Sequence, residues 1–402
     1  MMKKYLGLLS VAFFFYSCVE QPLSESVLAD KALESAEKQL SLLRDEAVAR
    51  KGLPRTVEGG KICWTDEINY IDWTEGFFPG TCWYMFEYTK DNRWESAAGL
   101  LQALCEKDKY LTSAHDLGFM FNSSYGNGFR LTGNADYKEV LLTAAHSLSQ
   151  RFNPVVGCIQ SWDVNNDSWQ SYKGWQYPVI IDNMMNLELL FKATALTGDS
   201  SYYYIAISHA DKTLENHFRP DNSSYHVVDY DSITGNIHVK QTAQGYADES
   251  SWARGQAWGL YGYTMCYRYT REERYLQQAI KIADYITHFP LMPEDRIPYW
   301  DYNVSELEQQ PRDASAAAIT ASALLELCTL VPSYKEYAVS ILRSLSSPAY
   351  CAPVGKNNFF VLMHSTGSVP HNAEIDAPLN YADYYYVEAL LRLKELSGYG
   401  KR

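Results

Sequence analysis

The sequence predicts an all-α protein in which six helical hairpins close into a ring. Apolar residues recur at helical spacing in twelve segments, whereas strand-like runs are few and short. Turns within hairpins are short, but the links between hairpins are long and aromatic, at 153–180, 219–249, 290–314 and 348–380. Long loops at one end of a rigid scaffold commonly form a binding cleft. The uneven spacing therefore favours a six-hairpin toroid over an open superhelix of the same hairpins.

A repeated pattern joins these helices in pairs. A threonine is followed by a short polar or glycine-bearing turn and, five residues on, by an aromatic residue, as in Thr89 with Trp94, Thr132 with Tyr137, Thr197 with Tyr202, Thr270 with Tyr275, and Thr329 with Tyr334. The predicted helices cover residues 30–49, 79–90, 92–107, 115–131, 137–152, 181–198, 201–218, 250–270, 273–289, 315–331, 334–347 and 381–397.

The N-terminal segment predicts export. Two lysines precede the apolar run 6–16, which is too short to span a bilayer, so residues 1–17 are interpreted as a signal peptide. Cys18 follows directly and resembles the cysteine at which bacterial lipoproteins are lipidated; ordinary secretion is the alternative. We expect an exported, periplasmic protein with a linker at 18–29 and a single domain at 30–402, attached to the membrane only through a lipid anchor.

The composition excludes several function classes. The formal net charge of −13 repels nucleic acid, so an acidic ligand must meet locally placed cations. No motif for a metal, a nucleotide or another cofactor occurs, and none is expected to take part. Seven further cysteines in mostly apolar surroundings predict buried thiols rather than disulfides. The 32 tyrosines and ten tryptophans fit either a core or the lining of a sugar-binding cleft.

Two aspartates are candidate catalytic groups. Asp182 opens a strongly apolar predicted helix, and its neighbours would desolvate the carboxyl group and raise its pKa toward the range useful for proton donation. Helical spacing places Asn186 on the same face. Asp116 follows His115 and precedes a glycine and an aromatic residue. Either aspartate could instead cap a helix, but two carboxyl groups that face one cleft are the minimum for glycoside hydrolysis.

The segment 250–259 is the most specific stretch. Arg254 and Trp258 share a helix face, and a stripe of two glycines beside them permits close helix packing. Such an arginine suits bidentate capture of a carboxylate. His226 and Gln244 lie on the long loop that leads into this helix and are further candidate ligand contacts. The alternative is an arginine that stacks on tryptophan or pairs with Glu249 or Asp248.

Several motifs in one order resemble the unsaturated glucuronyl hydrolases, glycoside hydrolase family 88. They are DWTEGFFPG from Asp72, HDLG from His115, IDNMMN from Ile181, SWARGQAW from Ser251 and YADYY from Tyr381. The resemblance runs from about residue 30 to the C-terminus. It implies an (α/α)6 barrel, in agreement with the number of predicted helices.

The resemblance also implies an unusual reaction and the residues that perform it. The family hydrates the ring double bond of the 4,5-unsaturated uronic acid that polysaccharide lyases leave at a non-reducing end. Asp182 matches its general acid/base, and Asp116 matches its second essential aspartate. Positions similar to its substrate-binding residues are Trp73, Trp162, His226, Gln244, Arg254 and Trp258, and His115 is expected to join them.

Specificity is less defined by the sequence. Some family members bind sulfate through a Ser-x-x-Ser-x-Lys pattern; here Ser365 and Ser368 match the serines, but Pro370 replaces the lysine and His371 follows. We therefore expect disaccharides from heparin or heparan sulfate, chondroitin or hyaluronan. The alternatives are an unsaturated rhamnogalacturonyl hydrolase that acts on pectin fragments, a non-catalytic glycan-binding lipoprotein, and a helical scaffold for protein partners.

Overall fold

The computed structural model describes residues 23–68, 70–165 and 168–399. The helices, in chain order, are α1 (Glu25–Arg50), α2 (Phe77–Thr89), α3 (Asn92–Gln102), α4 (Asn127–Thr132), α5 (Ala135–Ser149), α6 (Trp169–Tyr172), α7 (Leu187–Thr197), α8 (Ser200–Asn216), α9 (Ala253–Thr270), α10 (Glu273–Thr287), α11 (Ala314–Leu327), α12 (Tyr334–Leu345) and α13 (Asn380–Tyr399). A π-helix, Gly118–Gly126, runs into α4, and a 3-10 helix, Ile181–Asn186, runs into α7. None of these helices is long and apolar enough to cross a membrane.

The helices form two concentric rings. The inner ring consists of α2, the π-helix with α4, the 3-10 helix with α7, α9, α11 and α13; each contacts the next, and α13 contacts α2. The outer ring consists of α3, α5, α8, α10, α12 and α1, which packs against α13. The closed ring confirms the predicted (α/α)6 barrel, and all twelve predicted helices are present.

Burial explains which helices lie inside. The first twelve residues of α11 are all buried, as expected for a helix that packs on every side. The outer helix α10 instead buries one stripe, at the spacing of three and four residues that marks an amphipathic helix: Tyr275, Gln278, Ala279, Ile282, Ala283 and Ile286.

The repeated threonine ends an inner helix. In four hairpins its hydroxyl accepts a hydrogen bond from the amide two residues on, and the residue between has positive φ: the threonines are Thr89, Thr132, Thr197 and Thr270. This arrangement terminates the helix and turns the chain into the outer helix. The copy at Thr329 lacks it, since its hydroxyl bonds back to Glu326 O.

Helix α1 extends into the predicted linker. Helix α1 begins at Glu25, because the Ser24 side chain accepts a hydrogen bond from Val27 N and caps it, so residues 25–29, assigned above to a linker, are helical. The proposed signal peptide and Cys18 lie outside the described residues.

The seven cysteines from Cys63 to Cys351 are free thiols, as predicted.

The long loops carry small antiparallel sheets. The strands are β1 (Pro54–Glu58), β2 (Lys61–Trp64), β3 (Phe152–Asn153), β4 (Cys158–Ile159), β5 (Pro178–Ile180), β6 (Val227–Tyr230), β7 (Ile237–Gln241), β8 (Ser365–Ser368) and β9 (Ala373–Ala377), paired as β1-β2, β3-β4, β5-β6-β7 and β8-β9. These loops precede inner helices, so the beginnings of those helices meet at one end of the barrel. Every predicted site residue lies on these loops, on the segment just before the π-helix, or in the first two turns of the helix that follows.

Candidate active site

Asp182 lies inside the 3-10 helix rather than at its cap. The N-cap residue is Ile180, so the helix-cap alternative for this aspartate is wrong. Asp182 is 8% exposed, and its Oδ2 is buried without a hydrogen-bond partner in the described part of the chain. Burial raises its pKa to about 7, with opposing contributions from Arg254 and Trp258. The carboxyl group therefore holds a proton close to neutral pH.

His226 faces the carboxyl group of Asp182. Its Nδ1 accepts hydrogen bonds from the amides of Ala243 and Gln244, at 3.2 and 3.1 Å. The ring proton must then be on Nε2, which lies 3.6 Å from Asp182 Oδ2. Burial, with a contribution from the Arg254 charge, lowers the pKa of His226 well below its usual value. The imidazole is thus a neutral donor aimed at the aspartate.

Asp116 and His115 form a second carboxyl–imidazole pair, in addition to that of Asp182 and His226. His115 Nε2 lies 3.3 Å from Asp116 Oδ1. The Asn186 amide nitrogen is 3.4 Å from His115 Nδ1, so the ring proton belongs on Nε2, toward the carboxyl group. Burial lowers the pKa of His115 to about 3. Burial and the nearby charge of Asp182 raise the pKa of Asp116 to about 8, as expected for two carboxyl groups that share one cleft.

Asn186 contacts His115 from the 3-10 helix that also carries Asp182. Its Oδ1 accepts a hydrogen bond of 2.9 Å from Phe119 N, which orients its amide nitrogen toward His115. The 3-10 geometry, not an α-helical face shared with Asp182, places it there. Asp116 also caps no helix, since Leu117 is the N-cap residue of the π-helix and makes no side-chain cap bond.

Arg254 is more constrained than the sequence indicates. Its Nη1 donates to Asp313 Oδ2 at 3.1 Å and to Thr366 O, and Nη2 donates to Gly367 O at 2.6 Å. Its guanidinium carbon lies 4.4 Å from the centre of the Trp252 ring. The arginine thus stacks on tryptophan and forms a buried ion pair, although with Asp313 rather than Glu249 or Asp248. Its Nε is buried and lacks a hydrogen-bond partner in the described chain.

Asp313 is a site residue that the sequence analysis missed. It is fully buried, and its Oδ1 also caps α11 by accepting from Ser315 N. The motif Asp-Ala-Ser before an apolar helix is a recognisable cap. Its pairing with an arginine 59 residues away carries no local signal.

Tryptophans line two walls of the cleft. Trp73 and Trp258 both contact Phe119. The centroid of the Phe119 ring lies 5.1 Å from that of Trp73 and 5.0 Å from that of Trp258. Trp162 lies edge-on to both His115 and His226, at 6.5 and 6.3 Å. The structure therefore brings Trp162 to both histidines.

Ser365 and Ser368 lie in β8, and Gln244 contacts the same strand. Gln244 Nε2 donates to Gly367 O at 3.3 Å, the carbonyl that also accepts from Arg254. Ser365 and Ser368 are both buried. Ser368 Oγ hydrogen-bonds His371 Nδ1 at 2.7 Å, so the histidine does contact the second serine.

Five buried polar atoms of the predicted site residues lack hydrogen-bond partners within the described chain: Asp182 Oδ2, His226 Nε2, Arg254 Nε, Trp258 Nε1 and Ser365 Oγ. Native interiors leave few such groups, so their accumulation in one place indicates where a polar ligand binds. No group of three or more metal-binding side chains is present among the described residues.

A cavity of about 860 Å³ opens at the far end of the barrel. Its charged groups are paired with one another; Glu188, for example, accepts hydrogen bonds from Arg268 and Tyr269. The pKa of Glu188 is lowered to about 2, chiefly by Arg268, against the effect of burial. This carboxylate stays ionised, unlike Asp182, and the cavity does not resemble an acid/base site.

Comparison with known proteins agrees with this geometry. No family model matches the chain. It is 42% identical over 394 residues to the unsaturated glucuronyl hydrolase of Formosa agariphila, covering 97% of both chains. It is 32% identical to the unsaturated chondroitin disaccharide hydrolase of Streptococcus agalactiae, covering 92% of both. The crystal structure of an unsaturated glucuronyl hydrolase specific for heparin superposes with a TM-score of 0.87 at 44% identity, over 93% of this chain and 98% of that one. The chain belongs to the unsaturated glucuronyl hydrolase family.

Proposed function

We propose that this protein removes the 4,5-unsaturated uronic acid from the non-reducing end of lyase-generated glycosaminoglycan oligosaccharides by hydrating the ring double bond. The observation that carries the proposal is the carboxyl group of Asp182, which keeps its proton close to neutral pH and lies beside Asp116 in a tryptophan-lined cleft. Protonation of an enol ether carbon needs a neutral acid, which an exposed aspartate would not supply at that pH.

Asp182 donates its proton to C4 of the sugar. Its Oδ2 is buried against His226, so contact with the ligand is made through Oδ1. Water then adds at C5 and returns a proton to the Asp182 carboxylate. The C5 hemiketal opens by breaking the bond to the ring oxygen, and the resulting C1 hemiacetal releases the remaining sugar as an alcohol.

His226 stabilises the charge that develops on Asp182. When the aspartate gives up its proton, the His226 Nε2–H becomes a donor to an anion at close range. A donor preorganised in a buried site stabilises such a charge without solvent rearrangement. A neutral histidine also leaves the aspartate protonated beforehand, because a nearby positive charge would lower its pKa.

The remaining side chains hold the sugar. Asp116, supported by His115, accepts hydrogen bonds from ring hydroxyls, and Arg254 with Gln244 meets the carboxylate. The half-buried Trp73 is suited to stack on the flat unsaturated ring, and the fully buried Trp258 packs behind it on Phe119 and helps to exclude bulk water.

The substrate class is tested with disaccharides prepared by polysaccharide lyases from heparin, chondroitin, hyaluronan and rhamnogalacturonan. Loss of the ultraviolet absorbance of the double bond reports turnover. Turnover of one or more glycosaminoglycan disaccharides, with none of the pectin fragment, is the expected result. Turnover of the rhamnogalacturonan disaccharide alone would support the pectin alternative, and binding without turnover would support a glycan-binding lipoprotein.

We further propose export and lipid attachment at Cys18. Two lysines, an apolar run and a cysteine at its end support this proposal. Expression of the full chain and of Cys18→Ser, followed by membrane fractionation, tests it. The native chain is expected in the membrane fraction and C18S in the soluble periplasmic fraction; equal distribution of both contradicts lipidation.

A further inference from the structure

Arg151 joins two loops of the active-site end. It follows α5, and its side chain is 3% exposed. Its Nε donates to Gln160 O at 2.8 Å, and its Nη1 donates to Thr112 O and, at 2.8 Å, to Asp163 Oδ1. One guanidinium group therefore connects the segment before Asp116 with a second loop.

The loops that Arg151 connects carry candidate substrate contacts. Ala114 pairs with Trp162 in an antiparallel bridge, and His115 N donates to Ser161 O at 3.1 Å. Asp116 and Trp162 consequently occupy adjacent loops that are fastened both by backbone pairing and by Arg151. Nothing in the local sequence around Arg151 marks it for this role.

Arg151 and Arg254 have the same arrangement of hydrogen-bond partners. Each donates to two backbone carbonyl groups and to one aspartate, Asp163 for Arg151 and Asp313 for Arg254. Each also acts on one of the two candidate catalytic carboxyl groups without a direct ion pair: the Arg151 charge lowers the pKa of Asp116, and the Arg254 charge lowers that of Asp182.

We propose that Arg151, held by Asp163, is a positioning residue for the reaction, which fixes Asp116 and Trp162 relative to each other on one wall of the cleft. The proposal rests on the proposed function for its kinetic consequences. The contacts with Thr112, Gln160 and Asp163 do not depend on it.

Two substitutions of Arg151 distinguish the effect of its several hydrogen-bond donors from the effect of its charge. Arg151→Lys retains the charge but cannot reach three acceptors at once, so kcat should fall on the order of 10- to 100-fold with little change in KM. Arg151→Met should lose a similar factor in kcat and, in addition, raise the pKa of Asp116, which is read from the pH dependence of its carboxyl 13C chemical shift. Asp116 is faced by His115, Asp182, Asp72 and Arg151, and Arg151 is the cation among them. Removing a cation raises the pKa of a nearby acid.

Arg130→Met is the matched control. Arg130 also pairs with a carboxylate, that of Glu87, but its side chain is 44% exposed and lies at the far end of the barrel. A smaller loss of thermal stability, with the native kcat and an unchanged Asp116 titration, is expected. Asp163→Asn supplies a second test if Arg151→Met does not fold, because it weakens the pair with a partly exposed side chain; a drop in kcat with an unchanged fold is expected.

A measurement made without substrate tests the role of Arg151 independently of the proposed function. The ring nitrogens of His115, observed by two-bond 1H–15N correlation, should shift in R151M and remain in place in R130M. Unchanged His115 signals together with the native kcat and an unchanged Asp116 titration would overturn the positioning role. Absence of turnover by the native enzyme on every unsaturated disaccharide would instead overturn the function, and the His115 comparison would still decide the role of Arg151.

Discussion

Gly118 packs so closely on Asn186 that a methyl group on Gly118 would lie 2.4 Å from Asn186 Cα. This contact joins the π-helix, which follows Asp116, to the 3-10 helix, which contains Asp182. The hydrogen bond from Phe119 N to Asn186 Oδ1 reinforces it. Backbone packing, rather than a flexible side chain, thus sets how the two acidic residues face each other.

Gly118→Ala is expected to damage activity and stability together. The added methyl group meets backbone that cannot yield, so the two helices must separate, and overpacking of this kind costs about 1–3 kcal/mol. A displaced pair of aspartates should lower kcat on the order of 100-fold. Gly398→Ala is the control, since nothing lies within 4 Å of its added methyl group. Native kcat and melting temperature in G118A would refute the packing argument.

The pH dependence of kcat should have an alkaline limb near pH 7. Asp182 acts in its protonated form, and its pKa is raised to about 7 by burial, so activity is present below that pH and is lost as the pH rises through it. His115 and His226 both have lowered pKa values and stay neutral, so no acid limb near the usual histidine pKa is expected. Steady-state kcat measured across neutral pH checks both statements; an acid limb at the usual histidine value would contradict the second.

Asp182→Asn should stabilise the fold at alkaline pH. The unfolded chain releases the Asp182 proton above about pH 4, whereas the folded protein keeps it to about pH 7. The folded state therefore loses stability as the pH rises through this window, and the full penalty remains above it. Asparagine carries no charge and avoids the penalty. Melting temperatures at pH 8 and pH 5 should show a larger gain for D182N at the higher pH; an equal or smaller gain there would contradict the raised pKa.

His226 should show a fixed tautomer. Two backbone amides donate to its Nδ1, so Nε2 carries the proton. A 1H–15N correlation spectrum should identify Nδ1 as the unprotonated nitrogen, with no titration across neutral pH. His226→Ala should reduce kcat because the ionised Asp182 loses its donor and two amides lose their acceptor. A protonated Nδ1 would rule out the proposed orientation toward Asp182.

The sequence predicted the helices well because their periodicity is a local property. Each inner helix packs on all sides, each outer helix buries a stripe, and threonine-containing turns separate them. The predicted glycine stripe is also observed: an added methyl group on Gly255 would approach Ile181 to 3.0 Å, which explains how α9 comes close to Asp182.

The details of the site could not be predicted because they depend on distant contacts. The pairing of Arg254 with Asp313 and the loop contacts of Arg151 join segments that share no periodic pattern. The π-helix that begins at Gly118 has no sequence signal that distinguishes it from an α-helix. The motifs predicted which side chains form the site, and the fold shows which of their hydrogen-bond donors and acceptors already have partners within the chain.

The most direct test of the account measures turnover of an unsaturated glycosaminoglycan disaccharide by the native enzyme and by Asp182→Asn, with folding checked by circular dichroism. The account predicts that D182N folds, binds the disaccharide and loses about 10²- to 10⁴-fold in kcat, because the proton for C4 comes from this side chain. A folded D182N enzyme with native kcat would contradict it.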